Sequence, residues 1–175
     1  MRTPDHRHPT PHPPPAASAA LHADRRWLLP LLRRYWYSPA TIAALTGSVQ
    51  AHAASATPYR VGFLSTPSLF FALTDPAVLR AATLFEFDER WAADAAEAGG
   101  AFAPFDYNAP PSALAPWAGS FELLVIDPPF IDRPVWAAYM RAAAALLSAG
   151  GELLLTTVAE REDELTAAVR SLTPP

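Results

Sequence analysis

Short apolar runs alternate with longer stretches of helical periodicity from residue 60 onward. Runs rich in branched and aromatic residues predict five β-strands, at residues 60–65, 83–87, 101–105, 121–126 and 152–158. The stretches between and after them predict a helix or turn at 66–73 and helices at 89–98, 135–147 and 160–172. Strands that alternate with helices predict an α/β fold with a doubly wound, mostly parallel sheet, in which all strands end at one edge.

Capping residues predict where several helices begin and end. Ser38 followed by Pro39 predicts the start of a helix that runs to about residue 53, with apolar residues at helical spacing. The glycine pair at 99–100 predicts a left-handed cap after the helix at 89–98. The second glycine pair, at 150–151, is expected to close the helix that begins at residue 135.

The first 23 residues contain six prolines and four histidines, and they predict a disordered tail. The folded domain is therefore expected to comprise residues 24–175. His6 and His8 could chelate a metal, but the composition favours a solvated tail. Arginines at positions 25, 26, 33 and 34 alternate with apolar residues. We interpret this cluster as a solvated helix face, with a phosphate-binding patch as the alternative.

Composition and charge argue against several classes of protein. The chain has no cysteine, which removes disulfides and thiolate metal sites. Its formal net charge is −4, and all thirteen basic residues are arginine. This balance argues against tight binding to duplex nucleic acid, which needs several cationic phosphate contacts. No apolar run approaches the roughly 20 residues that a membrane span needs, so we expect no membrane partner.

The run LLVIDPPF at residues 123–130 combines a buried strand with a rigid polar end. Pro128 keeps Asp127 out of helical geometry, so the aspartate stays extended where the strand ends. Pro128 and Pro129 lack an N–H, yet their carbonyls can still accept hydrogen bonds. Together with the aromatic face of Phe130, these groups form a rim at residues 127–130 that suits the binding of an amino or ammonium group.

Acidic residues lie at the predicted ends of three strands. Glu86 ends the second strand, Asp106 follows the third and Asp127 follows the fourth, so all three are expected to line one crevice. An acid after the second strand is where open α/β folds bind ribose hydroxyls. No G-x-G-x-x-G follows the first strand, where residues 65–68 read STPS. This argues against a dinucleotide and leaves room for a ligand without phosphate.

These features resemble class I S-adenosylmethionine-dependent methyltransferases, in which an Asp/Asn-Pro-Pro-aromatic motif serves methylation of amino groups. More closely, the chain resembles the elongation factor 1-alpha lysine methyltransferase family, once described as adenine-amino methyltransferases. The resemblance covers about residues 27–168. The matching stretches, in order, are YWYS at 35–38, LSTPS at 64–68, FEFDER at 85–90, FDYN at 105–108 and VIDPPF at 125–130.

The resemblance implies a cofactor, S-adenosyl-L-methionine, and a role for each matching residue. It implies catalytic roles at the rim: Asp127 and the Pro128 carbonyl accept N–H bonds of the amine, and Phe130 packs on the lysine. The cofactor contacts implied for the remaining residues are Glu86 or Asp88 at the ribose, Asp106 near the adenine amino group, and Ser65, Thr66 and Pro67 at the methionine end. Tyr37, in the aromatic triplet, either walls this pocket or packs the tail onto the core.

The resemblance also implies a partner, elongation factor 1-alpha, and a cytoplasmic, monomeric enzyme. Two alternatives stay open, an adenine-amino methyltransferase of DNA or RNA and a non-catalytic cofactor-binding remnant. The family pattern continues past the fifth strand into a closing hairpin, whereas this sequence ends at Pro175. We therefore expect the last hairpin to be missing and one sheet edge to be exposed.

Overall fold

A computed structural model describes residues 37–55, 58–128 and 132–170 of the chain. The predicted tail at 1–23, the arginine cluster at 25–34 and the predicted catalytic residue Phe130 lie outside these ranges. Within the described residues, no helix is both long and apolar enough to cross a membrane.

Among the residues that the structure describes, five parallel strands form one sheet in the order β3-β2-β1-β4-β5. The strands are β1 (Val61–Leu64), β2 (Ala82–Glu86), β3 (Ala101–Pro104), β4 (Phe121–Ile126) and β5 (Leu147–Leu155). The predicted doubly wound parallel sheet is confirmed, and the first four strands lie within one residue of their predicted bounds. Because β1 lies at the centre and the chain order reverses between β1 and β4, the edge at their ends is a topological switch point.

Helices cover both faces of this sheet. They are α1 (Pro39–Ser55), α2 (Pro67–Phe70), α3 (Pro76–Arg80), α4 (Trp91–Ala98), α5 (Arg133–Leu146) and α6 (Glu162–Arg170), with 3-10 helices at Pro111–Trp117 and Ala159–Arg161. The predicted cap of α1 is confirmed, since Oγ of Ser38 accepts a bond from the backbone N–H of Thr41 at 3.1 Å. The left-handed cap at Gly99 is confirmed as well, with φ of 95°.

Several elements differ from the sequence prediction. Helix α3 was not predicted, although Asp75 caps it by accepting a bond from the N–H of Ala77 at 2.7 Å. The proline-rich 3-10 helix at Pro111–Trp117 was also missed, because it is too short for a helical period. The last helix is shorter than predicted at its start, where a 3-10 turn occupies the chain before Glu162.

The prediction for the second glycine pair was wrong. Helix α5 already ends at Leu146, and Gly150 and Gly151 lie inside β5. Pairing with β4 shifts there, because Phe121 pairs with Leu147 whereas Leu123 pairs with Glu152. The glycines permit this irregularity: Gly150 has φ of 80°, and a Cβ on Gly151 would lie 2.8 Å from a backbone oxygen of β4.

Two apolar cores lie on opposite faces of the sheet. Alternate residues of β4 divide between them, because successive side chains of a strand point to opposite faces. Leu123 and Val125 join the core beneath α1–α4, whereas Leu124 and Ile126 join the core beneath α5 and α6. All four are buried, which confirms the prediction of a strand covered on both sides.

Candidate active site

The residues predicted to carry function follow the carboxyl ends of the parallel strands. Ser65 follows β1, Glu86 ends β2, Asp106 lies two residues beyond β3, and Asp127 follows β4. The parallel registers place these ends along one edge of the sheet. Ligands of open α/β sheets bind at that edge.

The carboxylate of Asp127 is held by a tyrosine from a distant part of the chain. Tyr37, just before α1, donates a hydrogen bond from Oη to Oδ2 of Asp127 at 2.7 Å. Oγ1 of Thr156, just after β5, lies 2.6 Å from the same Oη. An ionised carboxylate only accepts and Tyr37 has one hydroxyl proton, so Thr156 donates to Tyr37. A chain of hydrogen bonds therefore runs from Thr156 through Tyr37 to Asp127.

Burial and hydrogen bonding act on the Asp127 carboxyl in opposite directions. Burial raises the pKa of Asp127, and the hydroxyl groups of Tyr37 and, behind it, Thr156 partly offset this because they stabilise the charged form. The pKa of the Tyr37 hydroxyl is also raised, first by burial and then by its bond to Asp127. Tyr37 is therefore kept protonated as a donor to a half-buried carboxylate, and such perturbed groups in a crevice are typical of functional sites.

The turn after β1 is locally strained and tied to helix α5. Ser65 adopts a φ of 55°, which residues other than glycine rarely do. Its Oγ lies 2.6 Å from Oη of Tyr139, a residue of α5 that is fully buried. Strain of this kind is found where the surrounding structure imposes it, often at binding sites.

Tyr139 interacts with residues at the ends of several strands. Burial raises the pKa of its hydroxyl, and the charges of Glu86 and Asp127 raise that pKa further. Its ring contacts Phe105 and Tyr107 after β3, with centroids 5.3 Å and 5.8 Å away. Glu86 and Asp127 therefore act on the same buried hydroxyl, and the segment after β3 packs on its ring.

The two acids predicted as alternative ribose ligands have different surroundings. Oε1 of Glu86 accepts a bond from the N–H of Phe87 at 2.8 Å, and burial raises the pKa of this carboxyl. Asp88 instead forms an ion pair with Arg90, whose hydrogen bonds lower the pKa of Asp88. Because Asp88 already has a cationic partner, Glu86 is the better candidate to bind hydroxyl groups.

Asp106 lines a cleft of about 260 Å³, which Glu86 itself does not line. Its Oδ1 accepts bonds from the backbone N–H of Asn108 at 2.8 Å and from Nδ2 of Asn108 at 3.1 Å. Phe87, Tyr107 and the 3-10 helix contribute apolar walls to the cleft, and Phe87 exposes 72% of its surface. An aromatic wall beside a carboxylate suits a planar, partly polar group such as a purine.

The predicted methionine-end segment holds two hydroxyls that lack partners. Thr66, Pro67 and Ser68 are buried, and neither Oγ1 of Thr66 nor Oγ of Ser68 has a hydrogen-bond partner within the described residues. An unsatisfied buried hydroxyl costs about 1–3 kcal/mol, so each calls for an explanation. Two of them in one turn fit contact with a polar ligand.

Two residues of the site were missed by sequence reasoning. Thr156 follows β5 in the structure, but the predicted strand ran from 152 to 158 and placed this residue inside it, so the strand-end rule did not select it. Tyr139 had no such signal, because it occupies a buried helical position like any core aromatic. Pro128 is buried beside Asp127, and its carbonyl role remains a prediction.

A parallel sheet of this strand order is Rossmann-like, and with acids at the ends of β2 and β4 it is consistent with the class I methyltransferase fold. The family model described as "Probable N6-adenine methyltransferase" matches residues 31–174. The chain belongs to that family. The match includes all described residues, from Tyr37 before α1 to Arg170 in α6.

A curated relative carries a different substrate in its name. A protein-lysine N-methyltransferase of Caenorhabditis elegans is 30% identical over 139 residues, which cover 75% of this chain and 62% of the relative. The chain thus spans a little under two thirds of the length of that relative. Family and relative share methyl transfer and differ in the kind of amine that is named.

Proposed function

We propose that this protein is an S-adenosylmethionine-dependent protein-lysine N-methyltransferase that acts on translation elongation factor 1-alpha. The observation that carries the proposal is the half-buried Asp127 carboxylate followed by Pro128 at the end of β4. The name of the curated relative supports lysine as the acceptor. Elongation factor 1-alpha follows from the resemblance of the YWYS, FDYN and DPPF stretches, and with it a cytoplasmic, monomeric enzyme.

The residues present fit S-adenosylmethionine. Glu86 would accept bonds from the ribose hydroxyls, Asp106 and the aromatic wall of its cleft would hold the adenine, and the hydroxyls of Thr66 and Ser68 would meet the methionine end. When bound, this cofactor supplies a methyl group on a positively charged sulfur. Ser65 and Pro67 would shape the turn that contacts the cofactor.

Asp127 would orient the amine that receives the methyl group. A lysine amine has a pKa near 10.4 in water and must lose a proton before its lone pair can attack. The carboxylate of Asp127 and the carbonyl of Pro128 would accept the remaining N–H bonds and so direct the lone pair. Phe130 would pack along the aliphatic stem of the lysine.

The description of the family model favours a second candidate, transfer to the exocyclic amino group of adenine. The same acceptors would serve that amine. The substrate would then be a nucleic acid, which must release an unpaired or flipped base and is bound largely through phosphates. A net charge of −4 and the absence of lysine give little support for such binding.

Labelling of a cell extract separates these candidates. The purified protein is incubated with the extract and S-adenosylmethionine that carries a radioactive methyl group. We expect label that protease destroys and nuclease leaves intact, in a band that comigrates with elongation factor 1-alpha. Label that only nuclease removes would overturn the lysine proposal, and a complete lack of label would favour a non-catalytic remnant.

Substitution of Asp127 tests the residue that carries the proposal. Asp127→Asn keeps the shape but replaces one acceptor oxygen by a donor, so we expect transfer to fall about 100-fold or more. Glu97→Gln on the exposed face of α4 removes one carboxylate elsewhere and should leave the rate unchanged. Full activity of Asp127→Asn, with cofactor still bound, would contradict the assigned role.

A further inference from the structure

The contacts between Tyr37, Thr156 and Asp127 reach beyond the roles implied by the family resemblance. We propose that Tyr37 and Thr156 are positioning residues that fix the Asp127 carboxylate through Oδ2 and leave Oδ1 to the substrate amine. The inference rests on the proposed function, because it assigns the two hydroxyls to the residue that would orient the amine.

The three residues come from three separate parts of the chain. Tyr37 precedes α1, and it lies 90 positions before Asp127 and 119 before Thr156. The last torsion angle of an aspartate side chain is soft and roughly two-fold, so packing alone fixes its plane poorly. A bond of 2.7 Å to one oxygen selects a single orientation of the carboxylate.

The hydroxyl of Tyr37 both donates and accepts a hydrogen bond within this network. Its one proton goes to Asp127, and its oxygen receives the proton of Thr156 at 2.6 Å. A tyrosine that directly bound the cofactor through this hydroxyl would have no donor left to give. Tyr37 therefore acts through Asp127, while its ring packs against the core beneath α1–α4.

The charged form of Asp127 depends on the hydroxyl groups of Tyr37 and Thr156 for its stabilisation. The side chains that offset the burial of Asp127 are Tyr37 from before α1 and Thr156 from after β5. On α5, the buried hydroxyl of Tyr139 is close enough for the Asp127 charge to raise its pKa. The causes that shift the Asp127 pKa within the described residues include no basic side chain. Neutral donors are therefore what stabilises its charged form against burial.

Four variants of the full-length protein test the inference. Tyr37→Phe removes the donor to Asp127, and Thr156→Val removes the donor to Tyr37. Thr156→Ser keeps the hydroxyl and should behave like the wild type. Tyr59→Phe is a matched control, since it removes a tyrosine hydroxyl that donates to the carbonyl of Val49, away from the strand ends.

The readouts are the NMR titration of the Asp127 carboxyl, the Kd of S-adenosylmethionine by calorimetry, and the kcat and KM of methyl transfer. We expect Tyr37→Phe to move the Asp127 titration and the acid limb of the rate profile to higher pH. We expect kcat to fall about 10-fold to 100-fold, with KM and Kd nearly unchanged. Thr156→Val should shift the titration in the same direction by less.

The outcomes distinguish this inference from the proposed function. An unchanged Asp127 titration in Tyr37→Phe overturns the inference, and so does a weakened cofactor Kd with the titration unmoved. If the wild-type protein transfers no methyl group, the proposed function fails. The titration and calorimetry then still decide whether Tyr37 and Thr156 act on Asp127.

Discussion

At the scale of single residues, Asp127 shows how a functional group acquires unusual properties from its surroundings. Its carboxylate is half-buried at the end of β4, where desolvation disfavours the charge and two hydroxyl groups offset part of that cost. The native state therefore binds a proton at Asp127 more readily than the unfolded chain does. This difference links the site to the pH dependence of stability.

Asp127→Asn is expected to be at least as stable as the wild type at pH 7. The folded pKa of Asp127 is raised, so the wild type carries a destabilising charge above that pKa, and the cost disappears as pH falls toward the unfolded value near 3.9. Asparagine carries no charge at any pH. The advantage of the variant in urea unfolding should therefore shrink between pH 7 and pH 4.

Asp88→Asn is expected to change the stability at pH 7 in the opposite direction, by lowering it. The hydrogen bonds from Arg90 lower the pKa of Asp88, so this carboxylate contributes stability that is present near pH 7 and lost as pH falls through its lowered pKa. The effect should be small, because the ion pair lies near the surface.

If Asp127→Asn were less stable than the wild type by the same amount at both pH values, burial of the charge would not be the cause.

At the scale of elements, the close packing of the central strand depends on a glycine. Gly62 lies in β1, between β2 and β4. A Cβ at this position would lie 2.6 Å from Cδ2 of Leu124 and 3.3 Å from the ring of Phe85. Both neighbours are fully buried core residues, so neither can move away cheaply.

Gly62→Ala is expected to lower the free energy of unfolding by about 1–3 kcal/mol through overpacking. Gly47→Ala is the matched control, because Gly47 is exposed in α1 and a Cβ there would meet nothing within 4 Å. That substitution should raise stability by roughly 0.5–1 kcal/mol, since alanine favours the helix. Urea unfolding compares the two, and a neutral Gly62→Ala would contradict the packing argument.

At the scale of the whole molecule, the sheet separates two cores that share only its backbone. Ile42 of α1 packs in the core beneath α1–α4. Ile126 of β4 packs in the other core, beneath α5 and α6. Substitutions that do not share neighbours usually have additive effects on stability.

Ile42→Val and Ile126→Val are therefore expected to cost about 0.5–1.5 kcal/mol each. The double variant should lose the sum of the two, to within about 0.5 kcal/mol, in one cooperative urea transition. A coupling well above that value would show that the two cores are not independent layers. Two separate transitions would show that the cores unfold one at a time.

The sequence by itself determined the order of the elements, the parallel sheet and the placement of Ser65, Glu86, Asp106 and Asp127 after strands. These features follow from local apolar periodicity and from the fixed hand of strand crossovers, which act on neighbouring residues. At Gly150 the sequence pattern gave the wrong prediction of a helix end, because a glycine suits a helix cap and a strand irregularity equally well.

Only the tertiary structure decided which of these residues act together. The bond from Tyr37 to Asp127, the approach of Thr156 and the contact of Ser65 with Tyr139 join residues 74 to 119 positions apart. No local pattern encodes such partners, because they meet only once helices and strands have packed. The burial that raises the pKa of Asp127 is likewise a property of the assembled strand ends, because it depends on what surrounds the carboxylate rather than on its neighbours in sequence.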